Sequence, residues 1–139
     1  MSHPPALIFD MDGTMVDSMP WHLKSWAVFT QRHGLSIDLP DLMRRTTGRN
    51  GPECMRELFQ RELPDDEAWA LIQQKEAAYR ELFAPVFTEV AGFRAFAARA
   101  MARGHKVGVG TAGDRHNIEF VFRHLAMTPP PHAVVGGDE

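Results

Sequence analysis

The stretch ALIFDMDGTMVDS, residues 6–18, places two carboxylates, Asp10 and Asp12, directly after a short apolar run. Residues 6–10 are nearly all apolar, which is typical of a strand that is buried on both faces of a parallel sheet. Gly13 then allows the backbone to turn tightly. Because two neighbouring carboxylates repel each other unless a positive group neutralises them, the stretch predicts a charged site at the end of a buried strand.

After this strand and as far as residue 87, the apolar residues recur mostly at helical spacing. The segment 89–103 is an alanine-rich helix, and 105–111 and 132–137 are short apolar strands on either side of another helix. Strands that alternate with helices predict an α/β fold with a parallel sheet. The helices before residue 87 are predicted at 21–33, 40–47, 52–63 and 65–83.

The order of these elements predicts two parts. Residues 1–17 and 88–139 would form a Rossmann-like α/β core, and residues 18–87 a helical cap inserted after the first strand. The chain has 139 residues, of which 44% are hydrophobic and 24% charged, and this composition can build a core.

Composition also excludes several classes of function. The formal net charge of −3 is spread over mixed signs, so we expect neither a nucleic-acid partner nor a membrane partner. The single cysteine, Cys54, rules out an internal disulfide and is expected to be an ordinary helix residue. No secretory signal or transmembrane run is found, which favours the cytosol.

Polar groups follow two strands of the predicted sheet: Asp10 and Asp12 after the first and Thr111 after the second. Open parallel sheets bind ligands at the carboxyl ends of their strands. A phosphoryl transfer would use these groups, with one aspartate as nucleophile, the other as proton carrier and magnesium as the neutralising charge. A calcium loop fits poorly because the glycine comes too early, and a cluster of helix caps without a catalytic role is the plainer alternative.

The motif DMDGT at residues 10–14 resembles the first motif of the haloacid dehalogenase superfamily of phosphatases and phosphomutases, and VGVGTAG at 107–113 resembles the second. The segment DSMPWHLKSW, 17–26, is similar to the entry into the small cap of the β-phosphoglucomutase-like phosphatase branch. The resemblance implies that Asp10 is the nucleophile and a Mg²⁺ ligand. Asp12 would be the general acid and base, and its main-chain carbonyl would also bind the metal.

The resemblance also assigns the substrate side of the site. Thr111 would bind the transferring phosphoryl group, with help from backbone N–H groups near Ala112 and Gly113 at a helix start. The positions that would face or grip the rest of the substrate are His22, Trp26, Arg49 and Asn117. The plainer alternatives are a helix-surface histidine, a solvated loop arginine and a first-turn asparagine.

The family pattern requires two further motifs, a lysine and an acidic strand end, and both would follow residue 139. We therefore expect the front part of a longer Mg²⁺-dependent phosphatase that acts on a small phosphorylated metabolite such as a sugar phosphate. The chain alone is expected to be weakly active or inactive. Alternatives are a phosphomutase of the same branch and a non-enzymatic binding fragment. The first strand would become a sheet edge, which favours self-association.

Overall fold

A three-stranded parallel sheet is the centre of the computed structural model, which describes residues 2–139. Its strands are β1 (Leu7–Phe9), β2 (Val107–Gly110) and β3 (Ala133–Val135), in the order β1-β2-β3. The register aligns Ile8 with Gly108 and Val109 with Val134. The predicted α/β class with a parallel sheet is confirmed.

Residues 2–139 also form six α-helices, and a short 3-10 turn, which the sequence did not predict, follows the fourth of them at Ala84–Val86. The predicted helix at 65–83 matches the observed one, and the others shift by a few residues. The helices are α1 (Met19–Arg32), α2 (Leu39–Thr46), α3 (Gly51–Phe59), α4 (Asp65–Phe83), α5 (Phe93–Ala102) and α6 (Arg115–Leu125).

Helix α5 begins four residues later than predicted, a shift as large as that of the end of α3. Glu89 forms an isolated antiparallel bridge with Val16, and the Val90 N–H donates to the Met15 carbonyl at 2.9 Å. Gly92 then takes a left-handed φ of 86°. These long-range bonds hold the segment extended, so its alanine-rich neighbourhood does not decide its conformation.

Strand β1 is partly buried on one face and exposed on the other, so the prediction that it is buried on both faces is wrong. Phe9 packs edge-on against Phe93, with ring centroids 5.1 Å apart. Ile8 points the other way and is 80% exposed, because no described element covers that face. The strand does lie at the edge of the sheet. Self-association through this edge stays a prediction.

Apolar side chains form two clusters that meet along α4. Ala68 and Ile72 in its first half pack with the helices α1–α3, whereas Tyr79 and Phe83 in its second half pack with the residues around the sheet. The predicted boundaries, 1–17 and 88–139 for the core and 18–87 for the cap, stay a prediction. No helix in residues 2–139 combines the length and apolar character that a bilayer crossing demands.

Candidate active site

A cavity of about 170 Å³ opens between the carboxyl ends of β1 and β2 and the helices α1, α4 and α6. The fold brings every site residue that the sequence predicted to the wall of this one cavity. Its lining includes Asp10, Asp12, His22, Trp26, Arg49, Thr111, Ala112, Gly113 and Asn117. Their functional roles stay predictions, whereas their convergence is a property of the fold.

The strand ends supply the open side of the cavity. Asp10 follows β1 directly and is exposed. Thr111 follows β2, and its N–H donates to the Val135 carbonyl at 3.0 Å, which fixes it to the neighbouring strand. The Gly113 N–H donates to Thr111 Oγ1 at 3.0 Å. Asp10 and Thr111 therefore line the same cavity at the carboxyl end of the sheet, where parallel folds bind ligands.

Ala112 and Gly113 lie in the turn directly before a helix start, as the sequence predicts, and their part in anion binding stays a prediction. Helix α6 starts at Arg115, and Asp114 is its N-cap. The Asp114 carboxylate accepts the Asn117 N–H at 3.0 Å and so closes the first turn. Ala112 and Gly113 lie in the connection before the cap.

Asp12 is held by two hydrogen bonds that its neighbours donate. Ser18 Oγ donates to Oδ1 at 2.7 Å, and His22 Nε2 lies 3.0 Å from the same oxygen. Burial raises the pKa of Asp12, but the hydrogen bonds from His22 and Ser18, together with the positive charge of Lys75, outweigh it and hold the pKa below the usual value. The carboxylate is therefore fixed in place and favoured in its ionised form.

His22 is oriented by a buried lysine. Lys75 Nζ lies 2.8 Å from Nδ1, and because an ammonium group only donates, Nδ1 accepts and Nε2 carries the proton that goes to Asp12. The imidazole stacks on the Tyr79 ring with centroids 3.8 Å apart. His22 is thus an internal link, not a helix-surface histidine.

The chain of contacts continues through Glu76 to α6. Lys75 is 3% exposed and donates to Glu76 Oε1 at 3.0 Å, and Asn117 Nδ2 donates to Oε2 at 2.6 Å. Arg80 Nη1 donates to Asn117 Oδ1 at 2.7 Å. Burial raises the pKa of Glu76, yet Lys75, His22 and Asn117 together hold it below the usual value. Asn117 is therefore a buried link between α4 and α6 whose amide is already engaged at both ends.

The remaining predicted residues lie on the side of the cavity far from the sheet. Trp26 is buried, and Lys75 Nζ sits 5.0 Å from its ring centroid. Arg49 is in the connection between α2 and α3, and its side chain is 50% exposed, with Nη1 3.6 Å from Glu57. Cys54 also lines the cavity, but burial raises the pKa of its thiol to about 11, which disfavours the thiolate that a nucleophilic cysteine needs.

Sequence reasoning missed the residues that hold the predicted ones in place: Ser18, Gln73, Lys75, Glu76, Arg80 and Asp114. The burial of Lys75 could have been predicted from its position. It lies three residues after Ile72 and four before Tyr79, which places it on the apolar face of α4. A lysine on a buried stripe needs a partner, and that requirement points to a buried acid or histidine.

A divalent cation would find oxygen ligands at the carboxyl end of β1. The Asp10 carboxylate is exposed to the cavity, whereas the Asp12 carboxylate is occupied by Ser18 and His22. Oxygen ligands suit Mg²⁺, which keeps several of its waters. No cluster of three or more His, Cys, Asp or Glu side chains that could hold a metal occurs in residues 2–139. The donor set here fits only part of such a site.

Comparison with known proteins gives relatives of the same architecture. The fructose-1-phosphate phosphatase YqaB of Escherichia coli K12 is 28% identical over 96% of this chain. A β-phosphoglucomutase from Clostridium difficile superposes with a TM-score of 0.81 at 18% identity. CbbY from Rhodobacter sphaeroides, in complex with xylulose 1,5-bisphosphate, superposes with 0.77 at 17%. Each of these two superpositions covers 96% of this chain, and both show the fold alone.

The chain is shorter than these proteins. It spans 66% and 69% of the length of two curated relatives, and 62% and 63% of the two solved chains. A protein-family model described as haloacid dehalogenase-like hydrolase matches residues 4–139, nearly the whole chain. The chain therefore belongs to the haloacid dehalogenase-like hydrolase family.

Proposed function

We propose that this protein hydrolyses a phosphomonoester of a small metabolite such as a sugar phosphate, through an aspartyl-phosphate on Asp10. The observation that carries the proposal is the fixed geometry of Asp12, which Ser18 and His22 hold in the same cavity as the exposed Asp10. The E. coli relative, named as a fructose-1-phosphate phosphatase, supports a phosphorylated sugar as the substrate class.

In the first step, a carboxylate oxygen of Asp10 attacks the phosphorus atom. The new bond joins Asp10 to phosphorus, and the bond from phosphorus to the substrate oxygen breaks. Asp12 is ionised in the free protein, so it first takes up a proton as the negatively charged phosphate binds beside it, and it then gives that proton to the leaving oxygen as a general acid. The Thr111 hydroxyl donates a hydrogen bond to the transferring group.

In the second step, a water molecule attacks the phosphorus atom of the aspartyl-phosphate. Asp12, now ionised, takes a proton from this water, and the bond from Asp10 to phosphorus breaks. Inorganic phosphate leaves, Asp10 returns as a carboxylate and Asp12 carries a proton for the next cycle. The hydrogen bonds from Ser18 and His22 favour the ionised Asp12 that this step requires.

Magnesium is part of the proposal. Asp10 and the main-chain carbonyl of Asp12 would hold the ion, which would offset the negative charge of the nucleophile and of the phosphate oxygens. A phosphomutase would use the same first step with a sugar hydroxyl as the acceptor. A binding protein without catalysis would use the same cavity without either step.

The test is phosphate release from fructose 1-phosphate and from 4-nitrophenyl phosphate, with and without Mg²⁺. We expect slow, Mg²⁺-dependent release by this chain and none by Asp10→Asn. Asp17→Asn is the matched control, because Asp17 lies in the same segment but is exposed and outside the cavity lining. Release that Asp10→Asn retains would rule out the nucleophile, and no release by the unaltered chain would favour the binding protein.

A further inference from the structure

Negatively charged side chains outnumber positively charged ones in the lining of the cavity. In residues 2–139, four carboxylates line it, but only two side chains there carry a permanent positive charge. The carboxylates belong to Asp10, Asp12, Glu76 and Asp114, and the cations are Lys75 and Arg49. Whether the cavity accepts one phosphate or two depends on which of these cations is free to meet a second anion.

Lys75 is not free. Its ammonium group is buried and donates to His22 Nδ1 at 2.8 Å and to Glu76 Oε1 at 3.0 Å. If it turned toward a substrate, the buried Glu76 would lose its cation, which is costly inside a protein. Lys75 therefore belongs to the network that positions Asp12.

Arg49 is only partly free. Its guanidinium lies 3.6 Å from Glu57, and Glu57 is also hydrogen-bonded by Arg45. The side chain is half exposed, so water screens what it offers to a ligand. Arg49 is exposed and already lies beside the Glu57 carboxylate, so it can neutralise little of the negative charge of a second phosphate.

The N-terminus of α6, which could otherwise bind an anion, is already occupied by Asp114. One oxygen of this carboxylate accepts the Asn117 N–H at 3.0 Å, and the other accepts Gln73 Nε2 at 2.7 Å. Asp114 is 8% exposed and is held from both sides. A phosphate that approached this helix would meet a fixed negative charge in place of free N–H groups.

We propose that the cavity selects a phosphomonoester whose remainder is uncharged and rejects a substrate with a second phosphate, and that Asp114 is a specificity-determining residue for this choice. The inference rests on the proposed function and narrows its substrate class. It also favours hydrolysis over a mutase reaction, because transfer of the phosphoryl group from Asp10 to a sugar monophosphate produces a bisphosphate that the mutase must hold.

The test compares two ligands that share the phosphate at carbon 1, fructose 1-phosphate and fructose 1,6-bisphosphate. Calorimetry with the Asp10→Asn form in Mg²⁺ measures binding without turnover, at about 0.15 M salt so that distant charges are screened. We expect the bisphosphate to bind at least about tenfold more weakly. Equal or tighter binding of the bisphosphate overturns the inference and leaves the proposed function standing.

Adding Asp114→Asn to this form identifies the responsible residue. Asparagine is also a good N-cap, so α6 should remain intact while the bisphosphate gains at least about threefold relative to the monophosphate. Asp38→Asn is the matched control, since Asp38 caps α2 in the same way but lies outside the cavity lining. An unchanged ratio in Asp114→Asn removes its assigned role. Failure of both ligands to bind overturns the proposed function and this inference together.

Discussion

Two walls of the cavity differ in how their polar groups are satisfied. The strand-end wall consists of Asp10, which is exposed, and Thr111–Gly113, which are half-buried, and its side chains make few hydrogen bonds. The helical wall consists of Lys75 and Asn117, which are buried, and His22 and Glu76, which are mostly buried, and each of these side chains is hydrogen-bonded to another side chain. A side chain that contacts a substrate must have unused hydrogen-bonding groups. A side chain that holds another one in position is itself hydrogen-bonded. Variants of the first wall should change activity, and variants of the second should change stability as well.

The largest expected effect belongs to Asp10→Asn. Under the proposed function, it removes the nucleophile and should lower phosphate release by about 10³-fold or more. Because Asp10 is exposed and makes no hydrogen bond that the fold depends on, the urea midpoint should hardly move. The measurement pairs an assay of phosphate release with urea unfolding monitored by circular dichroism. A large fall in stability would show that the strand-end wall is also structural, against the contrast between the walls.

Lys75→Met tests the helical wall. It leaves Glu76 buried without its cation and should lower the free energy of unfolding by about 3–5 kcal/mol. Urea unfolding measures the loss. Lys24→Met is the control, since Lys24 is exposed and lies 4.2 Å over the Trp21 ring, and it should cost less than about 1 kcal/mol.

A second variant separates charge from packing at the same place. Lys75→Met with Glu76→Gln removes both charges and should recover part of the lost stability. If the double variant is as unstable as the sum of the two single variants, the ion pair does not hold the wall together, and packing of the lysine chain explains the loss.

Ser18→Ala should have a smaller effect, because it removes one hydrogen bond to a charged group. Ser18 is fully buried and donates to Asp12, so we expect a loss of about 1.5–3 kcal/mol in urea unfolding. Ser25→Ala is the comparison, since this serine is also buried but donates to a neutral acceptor, the His22 carbonyl, at 2.7 Å. Its cost should be nearer 1 kcal/mol. Equal losses would mean that the charge of Asp12 adds nothing at this position.

The same contrast explains what the sequence could predict. The strand-end wall is readable because each of its groups directly follows a strand, so Asp10 and Thr111 stand out in a local pattern. The helical wall depends on pairs that are far apart in the chain, such as His22 with Lys75, which are separated by 53 residues, or Glu76 with Asn117, separated by 41. No local pattern specifies such a pair, and only the packing of α4 against α1 and α6 brings them together.

The prediction that β1 is buried on both faces failed for a related reason. Apolar residues at consecutive positions predict a strand with two covered faces, but coverage depends on which elements lie above the sheet. Phe9 meets α5, whereas Ile8 meets none of the described helices. The start of α5 was also set by a distant contact, the bridge from Glu89 to Val16. Local sequence patterns predict the elements and their order. Long-range contacts decide which faces of an element are covered and where it begins and ends.

Tyr79→Phe gives the smallest expected effect and tests whether the helical wall is complete. The Tyr79 ring supports His22 at 3.8 Å, but its buried hydroxyl has no hydrogen-bond partner in residues 2–139. An unpaired buried hydroxyl costs free energy, so its removal should leave stability unchanged or raise it by up to about 1 kcal/mol, with the ring stack intact. Urea unfolding of Tyr79→Phe and of the unaltered chain measures this difference in stability. A loss above about 1 kcal/mol would show that the hydroxyl is hydrogen-bonded in solution, and Ser18 is a candidate acceptor. The wall would then extend from Tyr79 through Ser18 to Asp12, and the tyrosine would help position the Asp12 carboxylate.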